Sequence, residues 1–147
     1  MTIALIDYGA GNLHSVHNAL VKAGAKNVEL AANGDVVAKA DRIVLPGVGA
    51  FRACRDGLYG LPGVVEAMTE AVHLRGVPFL GICVGMQLLA DEGEEFGQHK
   101  GLGWVPGTVR HIETASADIK VPHMGWNDVT PAHNHPLIVP GEAYYLH

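Results

Sequence analysis

The seven residues GICVGMQ, at positions 81–87, stand between an apolar run at residues 77–82 and a stretch with helical spacing at residues 84–90. One glycine lies two positions before Cys83 and another lies two positions after it. This spacing is typical of a nucleophile elbow, a tight strand-to-helix turn that lifts one side chain out of a sheet. Glycine is needed at both places because a Cβ would clash with neighbouring backbone. The pattern predicts that Cys83 stands at the carboxyl edge of a sheet.

Cys83 would then lie at a helix N-terminus, where the helix dipole and free N–H groups stabilise a thiolate. The N–H of Val84 would be available to an oxyanion. The alternative is a small buried cysteine in a glycine-rich strand, since free cysteine is often part of a core. Cys54 has no such surroundings in the sequence, and we expect it to be structural.

Working outward, the chain alternates apolar runs with helical patterns up to residue 90. Asn12 is placed to cap a helix that Gly24 ends, and residues 61–74 have helical spacing. Strands without alternation, interleaved with helices, indicate a parallel sheet covered on both faces. The predicted strands are residues 3–6, 28–31, 42–46 and 77–82.

The character of the sequence changes after Asp91. Residues 91–100 are polar and resemble a loop, and residues 104–112, 119–129 and 143–147 have extended patterns with Gly and Pro breaks. We therefore expect an antiparallel extension of the sheet. No linker divides the chain, so residues 1–147 are predicted to form a single domain.

A second glycine-rich segment, PGVGAF at residues 46–51, follows the third predicted strand. Two glycines around Val48 permit backbone angles that turn an N–H towards a ligand, and ligands bind at this edge of a parallel sheet. The alternative is an ordinary connecting loop. The turn at residues 9–14 begins like a dinucleotide fingerprint, but His14 replaces its third glycine and argues against that function.

Composition excludes several classes of function. With 48% hydrophobic and 17% charged residues, the 147-residue chain is globular, and its net charge of −5 argues against a general nucleic-acid binder. Its longest uncharged run, residues 76–90, is shorter than the roughly 20 residues that span a bilayer. Two cysteines favour a reducing, cytoplasmic setting. The histidines of the C-terminal third do not complete a metal-ligand set, and no cofactor is expected.

Five motifs occur in one order: IDYGAGN at residues 6–12, PGVGAF at 46–51, GICVGMQLL at 81–89, GLGWVPG at 101–107 and PHMGWN at 122–127. Together they resemble the class I glutamine amidotransferase family and, within it, the glutaminase subunits of imidazole glycerol phosphate synthase. The resemblance implies a flavodoxin-like, three-layer α/β sandwich with a mostly parallel central sheet and an antiparallel extension. It also implies an enzyme that hydrolyses glutamine to glutamate and ammonia through a cysteine thioester.

In that family the ammonia passes to a (β/α)₈-barrel cyclase, the other half of a heterodimer, which makes imidazole glycerol phosphate in histidine biosynthesis. Site residues follow by matching motif positions. The resemblance implies that Cys83 is the nucleophile, that the oxyanion hole uses the backbone of Val48, Gly49 and Val84, that Gln87 and His147 lie near glutamine, and that Asn12, Pro122, Met124 and Trp126 face the cyclase. From the residues alone, packing of Trp126 in the core is the favoured alternative.

One departure from the family pattern concerns the general base. The family triad takes its His and Glu from a His-Pro-Glu run, and the 147 residues contain none; His135-Pro136 is followed by Leu137. We therefore expect a domain incomplete at the C-terminus and a poor or inactive glutaminase. Two alternatives remain open: a binding subunit without catalysis, and another cysteine-elbow hydrolase or thiol redox sensor.

Overall fold

The computed structural model describes residues 1–114 and 120–146. The chain divides into two compact units, Met1–Arg110 and His111–His147, each of which is considered by itself. A single domain over residues 1–147 stays a prediction.

The first unit is built on a four-stranded sheet whose pairings are all parallel. Its spatial order is β2-β1-β3-β4, which confirms the parallel sheet predicted from the unbroken apolar runs. The strands are β1 (Ile3–Ile6), β2 (Val28–Ala31), β3 (Arg42–Leu45) and β4 (Phe79–Gly81).

Five helices connect or follow these strands: α1 (Leu13–Lys22), α2 (Gly34–Ala38), α3 (Phe51–Tyr59), α4 (Val64–His73) and α5 (Val84–Gln87). Helix α1 is as predicted, with the side chain of Asn12 accepting the N–H of Ser15 at 3.1 Å. Two helices were not predicted. The side chain of Asn33 caps α2 by accepting the N–H of Asp35, and α3 begins at the end of the 46–51 segment. Helix α5 is shorter than the predicted residues 84–90.

The sheet separates two apolar layers. On one face Leu5 and Val44 pack against Leu13, Val16 and Leu20 of α1. On the other face the side chains of alternate strand residues pack against helices α3 and α4. The buried residues of these two helices are Phe51, Cys54, Leu58, Val64, Met68 and Ala71. Helices on both faces make the three-layer sandwich that was expected.

A second, three-stranded sheet in this unit has the order β6-β5-β7, from β5 (Ala90–Gly93), β6 (His99–Lys100) and β7 (Val105–Val109). The prediction that residues 91–100 form a loop is therefore wrong at both ends. Strands β5 and β6 pair antiparallel, and β5 pairs parallel with β7. The polar residues suggested a loop, but they are compatible with strands here because the outward face of such a small sheet is exposed.

The second unit contains a two-stranded antiparallel ribbon, β8 (Met124–Val129) and β9 (Gly141–Leu146). The predicted extended patterns near these residues are confirmed where they overlap the strands, and residue 119 lies outside the described residues. Among residues 1–114 and 120–146, no helix has the length and apolarity needed to cross a membrane.

Candidate active site

Two connections leave the carboxyl edge of the sheet side by side. Leu45 of β3 is paired with Gly81 of β4, and the N–H of Ile82 donates to the carbonyl oxygen of Leu45 at 2.9 Å. The chain after β3 is the segment at residues 46–51, called here the 46–51 loop. The chain after β4 is the elbow at residues 81–87. The topology thus brings together the two glycine-rich segments found in the sequence.

Cys83 stands on the strand-to-helix turn that the spacing predicts. Its backbone angles are φ 55° and ψ −120°, a combination rarely adopted by a residue with a side chain and found at functional turns. A Cβ on Gly81 would lie 2.6 Å from the Cα of Met86, and one on Gly85 would overlap the carbonyl of Leu45. Both glycines are therefore required, for the steric reason proposed from the sequence.

The turn fixes the backbone around Cys83 and leaves its thiol accessible. The N–H groups of Met86 and Gln87 donate to the carbonyl oxygen of Cys83 at 2.9 and 3.1 Å, while the side chain of Cys83 is exposed. In the described part of the chain, the N–H of Val84 has no protein acceptor. First-turn N–H groups of a helix are suited to receive negative charge.

The 46–51 loop packs directly on the elbow. A Cβ on Gly47 would lie 2.5 Å from the backbone nitrogen of Gly85, so only glycine fits there. Gly49 has φ +97°, and the side chain of Val48 is 55% exposed. Within residues 1–114 and 120–146, the N–H groups of residues 47–50 have no protein acceptor. The loop therefore offers backbone donors beside the turn that carries Cys83.

Two side chains that the sequence did not single out for this role lie on the buried side of the loop. The hydroxyl of Tyr8 donates to the carbonyl oxygen of Pro46 at 2.6 Å. The thiol of Cys54 donates to the carbonyl oxygen of Val48 at 3.3 Å. Burial raises the pKa of Tyr8 far above its ordinary value and raises the pKa of Cys54. Cys54 is fully buried, as a structural cysteine should be.

Glu95 contacts the far end of the same loop. Its carboxylate accepts the N–H of Phe51, the first residue of α3, at 2.8 Å. A carboxylate at this position complements the positive end of the helix dipole. Sequence reasoning missed Glu95 because the residue lies 44 positions from Phe51, in a stretch interpreted as a polar loop.

The residues matched to glutamine binding are less fully placed. Gln87 is half-buried and lines a concavity of about 290 Å³ between α5 and β7, together with Met86, Val105 and Pro106. Cys83 is not among its lining residues. His147 lies outside the described residues.

The residues matched to a partner surface belong to both units. Asn12, in the first unit, is exposed and caps α1. In the second unit Pro122 is exposed, Met124 is 59% exposed and Trp126 is 71% exposed, with its ring edge-on to Tyr144 at 5.8 Å between centroids. Packing of Trp126 in the core, favoured from the residues alone, is therefore wrong: the tryptophan lies on the open face of a two-stranded ribbon.

The sequence profile of the family described as Glutamine amidotransferase class-I matches residues 4–142. That span includes the elbow, the 46–51 loop and, apart from Ile3, both sheets of the first unit. The fold, the geometry of the turn at Cys83 and the sequence profile thus agree that the chain is a class I glutamine amidotransferase.

Curated relatives narrow the family. The protein named "Imidazole glycerol phosphate synthase subunit HisH" in Zymomonas mobilis is 56% identical over 99% of this chain and 70% of its own length. The proteins of the same name in Rhodospirillum rubrum and Caulobacter vibrioides are 53% and 52% identical, over 100% and 92% of this chain and 73% and 66% of their own lengths. The chain therefore belongs to the HisH family of class I glutamine amidotransferases.

Proposed function

We propose that this protein hydrolyses glutamine with Cys83 as the nucleophile. The thiolate attacks the side-chain amide carbon of glutamine, and the carbonyl oxygen becomes an oxyanion that accepts hydrogen bonds from the N–H groups of Val48, Gly49 and Val84. Collapse breaks the C–N bond, the leaving nitrogen takes up the proton that the Cys83 thiol lost and departs as ammonia, and a glutamyl thioester remains on Cys83. Water then attacks the thioester, releasing glutamate and the free thiol.

The observation that carries this proposal is the left-handed backbone of Cys83 beside the N–H groups of residues 47–50, which have no protein acceptor among residues 1–114 and 120–146. A strained residue is retained where the exposed position of its side chain is needed. Donors placed where charge develops supply a large share of acyl-transfer catalysis. Gln87 and His147 are proposed to hold glutamine against this edge, and no cofactor takes part.

The names of the relatives support a place in histidine biosynthesis as the glutaminase subunit of imidazole glycerol phosphate synthase. We propose that a (β/α)₈-barrel cyclase receives the ammonia and that the two proteins form a heterodimer. The partner-facing residues are Asn12, Pro122, Met124 and Trp126, and exposed aromatic and methionine side chains are typical of such contacts. The low cysteine content suits a cytoplasmic setting.

One observation favours a second function for a polypeptide of these 147 residues alone. The His-Pro-Glu run from which the family takes its base and the orienting carboxylate is absent from them. General acid–base help is worth about 10²–10⁴-fold, so this polypeptide alone should be a poor glutaminase. It would still present the partner-facing residues and could act as a binding subunit.

A diazoketone analogue of glutamine tests the main proposal in the native protein bound to its cyclase. The analogue should alkylate Cys83, found by peptide mass, and should leave the buried Cys54 unmodified. Cys83→Ala should lose both labelling and glutamine hydrolysis. Glutamine-protectable labelling at Cys54 instead, or glutamine hydrolysis by Cys83→Ala, would exclude Cys83 as the nucleophile.

A further inference from the structure

We propose that Tyr8 and Cys54 are positioning residues for the reaction at Cys83. From the buried side they hold two carbonyl groups of the 46–51 loop and so turn the N–H groups that follow towards the open side. The inference rests on the proposed function, in which this loop forms part of the oxyanion hole.

Tyr8 holds the beginning of the loop. It lies two residues after β1, is 7% exposed, and donates to the carbonyl oxygen of Pro46 at 2.6 Å. Its hydroxyl is only 2.8 Å from the place that a Cβ on Gly47 would occupy. A trans peptide is planar, with its C=O and N–H pointing in opposite directions. The N–H of Gly47 therefore points away from Tyr8, and this peptide fixes the start of the segment that carries the proposed donors Val48 and Gly49.

Cys54 holds the middle of the loop in the same way. It is fully buried on α3, and its thiol donates to the carbonyl oxygen of Val48 at 3.3 Å. Because the same peptide plane carries the N–H of Gly49, that N–H points away from α3. The φ of +97° at Gly49 places it in a region that glycine enters without strain.

The two anchors act as a unit. The side chains of Tyr8 and Cys54 lie in the same buried cluster, and each donates its one proton to a carbonyl oxygen of the loop. Burial keeps both groups protonated, so both remain donors at neutral pH. In the described part of the chain the N–H groups of residues 47–50 bind no protein acceptor, so the loop's orientation depends on its carbonyl groups. If those carbonyl contacts are lost, the peptide planes can rotate and the donors no longer converge on one point.

Tyr8→Phe and Cys54→Ala test this in the native protein bound to its cyclase. Each should lower kcat for glutamine by roughly 10- to 100-fold, because donors are misplaced in the transition state. KM should change little. Alkylation of Cys83 by iodoacetamide should keep its rate, since that reaction forms no oxyanion. Cys54→Ser restores a donor and should recover most of kcat.

The matched control is Leu58→Ala. Leu58 is as deeply buried as Cys54, on the same helix, but its side chain has no donor. It should lower stability and leave kcat near that of the native protein. Equal losses of kcat in Leu58→Ala and Cys54→Ala, or a slower alkylation of Cys83 in Tyr8→Phe, would contradict the proposal. Either result would mean that Tyr8 and Cys54 act only through packing. An unchanged kcat in Tyr8→Phe and Cys54→Ala, with Cys83→Ala inactive, overturns this inference alone; an active Cys83→Ala overturns the proposed function beneath it.

Discussion

Gly85 lies against the carbonyl group of Leu45, so close that any Cβ on the glycine would overlap that carbonyl. The contact joins the elbow to the neighbouring strand β3. It also explains why the strand-to-helix turn can be so tight: the first turn of α5 packs on bare backbone. Because Gly85 lies in the first turn of α5, this close approach also fixes the position of Cys83 at the start of that helix.

Gly85→Ala should therefore destabilise the first unit by at least about 2 kcal/mol, as overpacking against rigid backbone does. Unfolding in urea, followed by tryptophan fluorescence, measures the loss. Gly141→Ala is the matched control, because a Cβ there meets nothing within 4 Å, and its midpoint should stay near that of the native protein. Equal midpoints for the two variants would show that the contact at Leu45 is not tight in solution.

The strain at Cys83 predicts an inverted preference for glycine. Elsewhere glycine costs about 0.5–1 kcal/mol relative to alanine, but Cys83 has φ 55° and ψ −120°, which a Cβ disfavours by about 1–3 kcal/mol. Cys83→Gly should thus be more stable than Cys83→Ala by about 1 kcal/mol, although both lose the thiol. The difference between their free energies of unfolding is the measurement.

The control for that comparison is Ala19→Gly, on the exposed side of α1. In a helix interior glycine should destabilise by about 1 kcal/mol. If glycine lowered stability at both Cys83 and Ala19, the backbone of Cys83 would not be strained.

Most of the fold could be predicted from local sequence patterns. The four strands of the parallel sheet and helix α1 were predictable, because buried strands read as continuous apolar runs and Asn12 has the chemistry of a cap. Strand β5 was missed because its residues ADEG are polar and one of its two partners, β7, lies more than ten residues away in sequence. Pairing of that kind leaves no local signal.

The same distinction applies to the candidate site: features set by residues close in sequence were predictable, and contacts between distant elements were not. The elbow was predictable because its steric requirement falls on residues two positions apart, Gly81, Cys83 and Gly85. Tyr8 and Cys54 were not assigned to the 46–51 loop, since their contact depends on β1 and α3 meeting beneath it. The exposure of Trp126 also could not be predicted from residue type, because a tryptophan packs equally well in a core or on a partner surface.

Trp126→Ala should weaken binding of the proposed cyclase partner without unfolding the protein. A tryptophan 71% exposed adds little to stability, while a central aromatic residue of an interface can contribute about 2 kcal/mol or more to binding. Calorimetric titration against the cyclase should show Kd rising about 30-fold. Leu137→Ala is the matched control, because Leu137 lies in the same unit and is 86% exposed; a similar rise in Kd there would remove the special role of Trp126.

Stability should fall at alkaline pH because of Cys54. Burial raises the pKa of its thiol in the folded state, while the unfolded chain releases the proton near the ordinary value of about 8.5. Above that pH the unfolded state binds fewer protons than the folded state. The free energy of unfolding therefore declines as pH rises, by up to about 1.4 kcal/mol per pH unit until the folded thiol also ionises.

Urea unfolding of the native protein and of Cys54→Ser between pH 7.5 and 9.5 measures this contribution, below the range in which an unfolded tyrosine ionises at about 10. Cys54→Ser has no thiol at the buried site, so its stability should decline less steeply than that of the native protein. Parallel slopes for the native protein and Cys54→Ser would mean that Cys54 ionises as readily in the fold as in the unfolded chain.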